Sequence, residues 1–320
     1  MKNIEFKETK IGHFTDLEHG TGCTVVICEK GAVCGVDVRG GAPGTRETDL
    51  LDPVNMVEKA YAIYIGGGSA FGLDGAGGVM KYLEEKGIGF DATVTKVPIV
   101  PGAIVFDLAV GNPSARPNSE MGYKACLNAK ENNGEQGNVG AGTGCTVGKV
   151  LGMERCMKAG LGVESIKVDR FTVSALAVVN AFGDIIDPET GQIIAGAIAP
   201  EGNRFLGTES ILIQENIKEE PFKNTTIGVI VTDAVLTKAS AKRIAIMAHD
   251  ALARTIRPSH TMFDGDTIFV LSVGTVEENV SRVGTIAAKA LERAILNAVK
   301  NADTLFGIPS YKDIQLGEEK

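Results

Sequence analysis

Asn224, Thr225 and Thr226 stand directly before a short apolar run, Ile227 to Val231. A threonine hydroxyl is a weak nucleophile unless a base lies beside it. Were Thr225 the first residue of a chain, its own α-amino group, which titrates at about 8 in model peptides, could act as that base. An internal threonine reaches this state only by cutting the peptide bond before it. Its Oγ attacks the carbonyl of the preceding residue, and water then hydrolyses the ester. That chemistry calls for a loop ending in a twisted peptide, a strand to hold the hydroxyl, and donors for the oxyanion. The charged, turn-rich stretch ending at Asn224 and the apolar strand beginning at Thr226 meet the coarse form of these demands. A β-branched residue also suits an ordinary strand edge, so these residues alone leave both readings open.

Two glycine-rich stretches are weaker candidates. In "GNVGAGTGCTVGK", Lys149 is followed by Val150 rather than a hydroxyl residue, which breaks the phosphate-loop pattern. Gly140, Gly142 and Gly144 alternate instead of following dinucleotide-binding spacing. What remains is close approach of backbone N–H groups to a small substrate or a neighbouring strand. In "GGGSAFGL", Ser69 lacks the second glycine of a nucleophile elbow.

Around these residues the chain spells out many elements. "CTVVICEKGAVCGVDVRGG" reads as two strands joined by a hairpin near Lys30–Gly31. Leu73 to Glu85 has helical spacing and stops at Gly87, and a short helix falls around Met121 to Ala129. "KVPIVPGAIVFDLAVG" reads as an apolar strand region, and "GLGVESIKV" and "FTVSALAVVNAFGDIID" as adjacent strands. Residues 187 to 224 read as an exposed connection. After the strand at Thr226 come a helix ending before Pro258, the strand "DTIFVLSVG", and a second long helix with Val283, Ile286, Leu291 and Ile295 at core spacing. Antiparallel-friendly turns mixed with a few helices suggest an α/β sandwich rather than strict βαβ alternation.

The bulk properties narrow the partners. A net charge of −8 argues against nucleic acid or an anionic membrane as the main partner. There is no tryptophan, and no apolar run reaches the roughly 20 residues that span a bilayer. The polar start "MKNIEFKETKIGHF" is unlike a signal peptide. The six cysteines form no CxxC pair and the four histidines no zinc spacing, so reduced thiols of a cytoplasmic protein and no structural metal are expected.

The ordered blocks "RGGAPGTRETDLL", "GGSAFGLDGAGGV", "GNVGAGTG", "VVNAFGDI", "NTTIGVIVTDAVLTK" and "PSHTMFDGDTIF" resemble the P1 family of peptidases, which includes the L-aminopeptidase/D-esterase and the β-peptidyl aminopeptidases. The matches run from about Gly35 to Ser272. The resemblance implies a single four-layer αββα sandwich, like that of N-terminal-nucleophile hydrolases with different connectivity. It implies a precursor that cleaves itself between Asn224 and Thr225 into 1–224 and 225–320, the fragments staying together and assembling as homo-oligomers. Thr225 would be the nucleophile towards a small amide, peptide or ester, with no cofactor. Many members use serine there, and the added methyl fixes χ1 and narrows the site.

The resemblance also assigns supporting roles. Asp264 takes the place of a hydroxyl residue and Asp266 that of the family's carboxylate. Two carboxylates so close repel, so one should hold a raised pKa, and one or both should bond the Thr225 hydroxyl or amine. Asn180 matches the asparagine of the oxyanion site. Read from the residues themselves, Gly140, Gly142 and Gly144 could add backbone donors, Lys238 could neutralise the carboxylates or be a surface lysine, and His260 is a further candidate base. The family's tyrosine has no clear counterpart; Phe106 and Asp107 lie where it would align. An acyltransferase of the ornithine acetyltransferase type, also built on a cleaved threonine, is the alternative activity. Asp264 in place of a hydroxyl is what a non-catalytic relative would show.

Overall fold

The computed structural model describes residues 4–202, 204–214 and 224–315. Ten strands share one hydrogen-bonded network: β1 (Lys10–Asp16), β2 (Thr21–Val38), β3 (Thr45–Arg46), β4 (Lys59–Gly66), β5 (Gly102–Ile104), β6 (Lys130–Glu131), β7 (Leu161–Val168), β8 (Phe171–Asn180), β9 (Thr225–Ala234) and β10 (Thr267–Val276). The order across it is β7-β8-β9-β10-β2-β4-β5-β3, with β1 on β2 and β6 on β1. Among the helices are α1 (Gly75–Glu85), α2 (Ser119–Leu127), α3 (Thr208–Gln214), α4 (Lys238–Thr255) and α5 (Val280–Lys300).

The expected hairpin at Lys30–Gly31 is absent. β2 is one 18-residue strand. Gly31 adopts a φ of +70°, and the register against β4 shifts between Ile27 and Ala32. The left-handed glycine thus makes a bulge, not a reversal. Residues before it pair with β1 and residues after it with β10, so β2 runs through both halves of the sheet system.

Side-chain alternation turns this path into layers. Cys23, Val25 and Ile27 of β2 and Ala62 and Tyr64 of β4 pack with Ala76, Val79 and Leu83 of α1. The residues between them, Val26, Ile63 and Ile65, join the main core with Leu176, Val229 and Phe269. On the far side of β7–β10 lie α4 and α5. The order is α1/α2, sheet, sheet, α4/α5: the expected αββα sandwich, with both sheet layers joined through β2.

Small residues let α4 and α5 approach closely. A Cβ on Gly162 would lie 2.1 Å from the Ala294 carbonyl oxygen of α5, and one on Gly35 would lie 2.4 Å from the Lys242 nitrogen of α4. Across the strands Gly162 pairs with Ala177, which pairs with Gly228, so one row under α5 carries almost no side-chain volume. β9 and β10 are parallel, which requires a crossover, and α4 supplies it. Its start is fixed by a capping box between Thr237 and Ser240.

The segment expected as an exposed connection is partly core: Ala195, Ala197 and Ala199 are buried. Asp184 ties it down, accepting from the N–H groups of Ala197 (2.9 Å) and Thr208 (2.5 Å). The stretch 215–223, just before Asn224, lies outside the described residues. Among those described, no helix is long and apolar enough to cross a membrane.

The glycine row gives a direct test. Gly162→Ala forces a methyl onto the α5 backbone and should cost about 1–3 kcal/mol of stability. Urea unfolding of the two proteins measures this, and equal midpoints would show that α5 does not need the close approach.

Candidate active site

Thr225 is the first residue of β9, in which, as in β8, all ten residues are buried. It pairs with Asn180, the last residue of β8. Leu176 and Val229, whose side chains enter the middle core, also pair with each other. The period-2 alternation therefore puts Thr225 and Asn180 on that same inner face. Thr225 is 3% exposed and Asn180 wholly enclosed.

The residues just before β9 and β10 meet as an isolated parallel bridge between Asn224 and Asp264. The Asn224 N–H donates to the Phe263 carbonyl (2.8 Å), and the Gly265 N–H donates to the Asn224 carbonyl (2.8 Å). The Thr225 hydroxyl donates to that same carbonyl oxygen. A Cβ on Gly265 would lie 2.7 Å from Thr225 Oγ1 and 3.1 Å from the Ala42 carbonyl oxygen. Only glycine gives the donor and leaves room for the hydroxyl.

The flanking carboxylates have separate tasks. Asp266 Oδ1 accepts the Thr226 N–H (2.7 Å), and its Oδ2 lies 2.7 Å from His260 Nδ1. Asp264 Oδ2 accepts from the N–H (2.8 Å) and hydroxyl (2.7 Å) of Thr261. The expected bond from a carboxylate to the Thr225 hydroxyl is not formed. Asp266 instead holds the strand one residue further on, and the hydroxyl turns to Asn224. The "RGGA" stretch clamps the whole turn from outside: Arg39 N–H donates to the Asp266 carbonyl (2.9 Å) and Ala42 N–H to that of Asp264 (2.8 Å).

The expected shift falls on Asp264. Burial, and then the neighbouring charge of Asp266, push its carboxyl up to about 6, while Thr261 and Lys149 oppose this. Lys149 is enclosed as well, and burial pushes its ammonium down to about 8, with Asp264 acting the other way.

Asn180 is fully engaged on its oxygen side. Its Oδ1 accepts from the Thr146 N–H (3.0 Å) and Lys149 Nζ (3.0 Å), and Lys149 Nζ also reaches the Asn180 carbonyl (3.1 Å). Its Nδ2 donates to the Phe106 carbonyl (2.9 Å). An amide nitrogen carries two protons, so one donor remains beyond that bond. Phe106 thus contributes through its backbone at the place where a tyrosine was sought. Asp107 points elsewhere, accepting from Thr21 and the Gly68 N–H.

Four sequence candidates take other positions. Lys238 sits 13 residues along from Thr225, past the far end of β9, where its Nζ donates to the carbonyls of Leu50 (3.2 Å) and Asn55 (2.7 Å). The lysine that acts on Asp264 is Lys149. The N–H groups of Gly140 and Gly142 are taken up by Thr15 Oγ1 (2.9 Å) and the Val139 carbonyl (2.9 Å), so neither points at a substrate. A Cβ on Gly144 would lie 2.2 Å from the Gly20 carbonyl oxygen, so this glycine serves packing. Sequence reasoning passed over Gly265, Thr261 and Lys149. The D-G-D spacing carried a signal for Gly265, since a glycine between two acids frees one backbone N–H. Lys149, at the end of a glycine-rich loop, carried none.

A family model described as Peptidase family S58 matches residues 5–312. The chain belongs to Peptidase family S58. It is 43% identical over 338 residues to an "uncharacterized aminopeptidase" of Mycobacterium tuberculosis, covering 95% of each chain. It is 27% identical to the 6-aminohexanoate-oligomer endohydrolase of Paenarthrobacter ureafaciens, covering 94% of this chain and 86% of that one. Its fold matches the L-aminopeptidase D-Ala-esterase/amidase of Ochrobactrum anthropi, a variant of the Ntn hydrolase fold, with a TM-score of 0.70 at 18% identity over 95% of this chain and 87% of that one. Family and relatives together make this S58 member a hydrolase of the amidohydrolase kind.

The Asp264 environment predicts a pH effect. The folded carboxyl titrates near 6, above its unfolded value, so the folded chain holds this proton more tightly. The group supports folding most at or below about pH 4 and less as pH rises to about 6. Asp264→Asn, on a Thr225→Ala background, should gain stability relative to its parent between pH 4 and 7, by up to roughly 3 kcal/mol. Urea unfolding at both pH values checks this, and a difference independent of pH would contradict the assignment.

Proposed function

We propose that this S58 hydrolase is made as a precursor that cleaves itself between Asn224 and Thr225, and that Thr225 then acts as the nucleophile on small amides, peptides or esters. The observation that carries the reading is the arrangement at one carbonyl: the Asn224 oxygen meets the Thr225 hydroxyl on one side and the Gly265 N–H on the other. On attack by Oγ, that oxygen takes the negative charge, and a fixed N–H aimed at it is the donor the transition state needs.

The step balances simply. Oγ forms a bond to the Asn224 carbonyl carbon, the C–N bond breaks, and the hydroxyl proton ends on the Thr225 nitrogen. Water then hydrolyses the ester, freeing the Asn224 carboxylate and restoring the hydroxyl. The new amine lies beside its own hydroxyl and serves as base in later turnovers. Asn224 no longer needs the Gly265 N–H, which becomes available to a substrate carbonyl. Asn180 Nδ2 keeps one proton beyond its bond to the Phe106 carbonyl, and Lys149 on Oδ1 fixes which end of the amide is the nitrogen; in this reading that proton is the second oxyanion donor. In the acyl step the substrate carbonyl bonds Oγ, and the departing amine takes a proton from the Thr225 ammonium. Water releases the acid.

The peptide and amide substrates named for the relatives fit this chemistry, and the chain's own substrate is proposed to be of that class. The fragments 1–224 and 225–320 would stay together, because one core draws side chains from both sides of the cut. Association of such pairs into homo-oligomers, in the cytoplasm, completes the proposal.

Time courses on freshly purified chains test it. Thr225→Ala should stay whole, Thr225→Ser should still cleave, and Gly265→Ala should cleave far more slowly because its methyl crowds Oγ1. In processed enzyme, Asn180→Ala should lower kcat by roughly a hundred- to a thousandfold, the scale of a lost oxyanion donor. Full amidase activity in Thr225→Ala would refute the reading.

A further inference from the structure

Asp266 divides its two oxygens between two neighbours. Oδ1 takes the Thr226 N–H at 2.7 Å. Oδ2 takes the His260 N–H at 3.1 Å and lies 2.7 Å from His260 Nδ1. A carboxylate can only accept, so Nδ1 carries the proton. His260 holds a φ of +58°, a left-handed conformation that costs energy for a histidine. That conformation is kept where one residue supplies both donors to one oxygen.

The ring is braced from behind. His249 packs edge-on against it, with centroids 4.9 Å apart at 71°. His249 Nε2 donates to the Asp37 carbonyl at 3.1 Å. Burial pushes His249 down to about 4, so a neutral ring faces His260. Asp37 is in turn held by Arg39 Nε at 2.6 Å, and the Arg39 N–H donates to the Asp266 carbonyl. The bracing therefore closes on itself: from Asp266 through His260, His249, Asp37 and Arg39, and back to Asp266.

We propose that His260 is a positioning residue for self-cleavage: by pinning Oδ2 it aims Oδ1 at the Thr226 N–H, and so sets the Asn224–Thr225 peptide against Gly265. The inference rests on the reading of Thr225 as nucleophile. His260 acts here through Asp266, whose other oxygen takes the Thr226 N–H, while the Thr225 hydroxyl turns to the Asn224 carbonyl. Its effect reaches the scissile bond through the Asp266 carboxylate and one backbone N–H. The "SHT" triplet therefore serves both acids, His260 holding Asp266 and Thr261 holding Asp264.

Two substitutions separate positioning from mere filling of space. Asparagine tolerates a left-handed backbone, and its Nδ2 can take the place of ring Nδ1. Glycine relaxes the backbone and removes the side-chain donor. His260→Asn should cleave within about threefold of wild type, and His260→Gly roughly ten- to a hundredfold more slowly, the scale of one lost hydrogen bond to a charged group. On the whole Thr225→Ala chain, nitrogen-15 NMR should show an exchange-protected Nδ1 proton on His260 that disappears in Asp266→Asn. His260→Gly cleaving at the wild-type rate, His260→Asn as slow as His260→Gly, or no protected Nδ1 proton would each overturn the proposal. A wild-type chain that stays whole would be a different failure, that of the nucleophile reading beneath it.

Discussion

The Gly265 N–H bonded to the Asn224 carbonyl is the contact on which the site depends. It joins the entrances of two parallel strands, β9 and β10, at the point where ladder pairing has not yet begun. A parallel pair needs a long crossover, so the two strands are brought together only when α4 has packed onto the sheet. The small residues under α4 and α5 make that packing possible. A catalytic-scale geometry of one N–H, one hydroxyl and one carbonyl is thus set by helix-on-sheet contacts far from it.

The acids beside that contact illustrate how burial separates two like groups. Asp266 is satisfied by three N–H donors shared between its oxygens. Among the described residues the Asp264 carboxylate has Thr261 alone as hydrogen-bond donor, and burial raises its pKa. The two acids are one residue from direct succession, yet the turn between them points them at different partners. This also explains why an aspartate is tolerated at position 264: near neutrality its charge has Thr261 as donor and Lys149 as counter-charge. The position need not signal a lost activity.

Much of the fold was legible because its elements have strong local signals. β8, β9 and both long helices follow apolar runs or helical spacing with clear caps. β2 was misread because Lys30–Gly31 looks like a turn, and only pairing with β4 on both sides of the bulge decides otherwise. At the site, Asn180, Thr225 and Asp266 could be placed from ordered blocks of sequence. Lys149 could not, since nothing local says that its ammonium ends on an asparagine 31 positions away. Lys238, open between the carboxylates and the surface in the sequence, takes neither place: a fully extended strand carries it away from Thr225, and its ammonium is buried on the Leu50 and Asn55 carbonyls.

The proposed chemistry begins with the backbone breaking itself at one bond. Intact-mass measurement of the wild-type chain over time after synthesis tests it most directly. The expected result is loss of the full-length species and growth of two fragments, residues 1–224 and 225–320, whose masses sum to the chain plus one water, the second beginning with a free Thr225 amine. A full-length chain that persists while hydrolysing amides, or a cut at any other bond in the active protein, would contradict it.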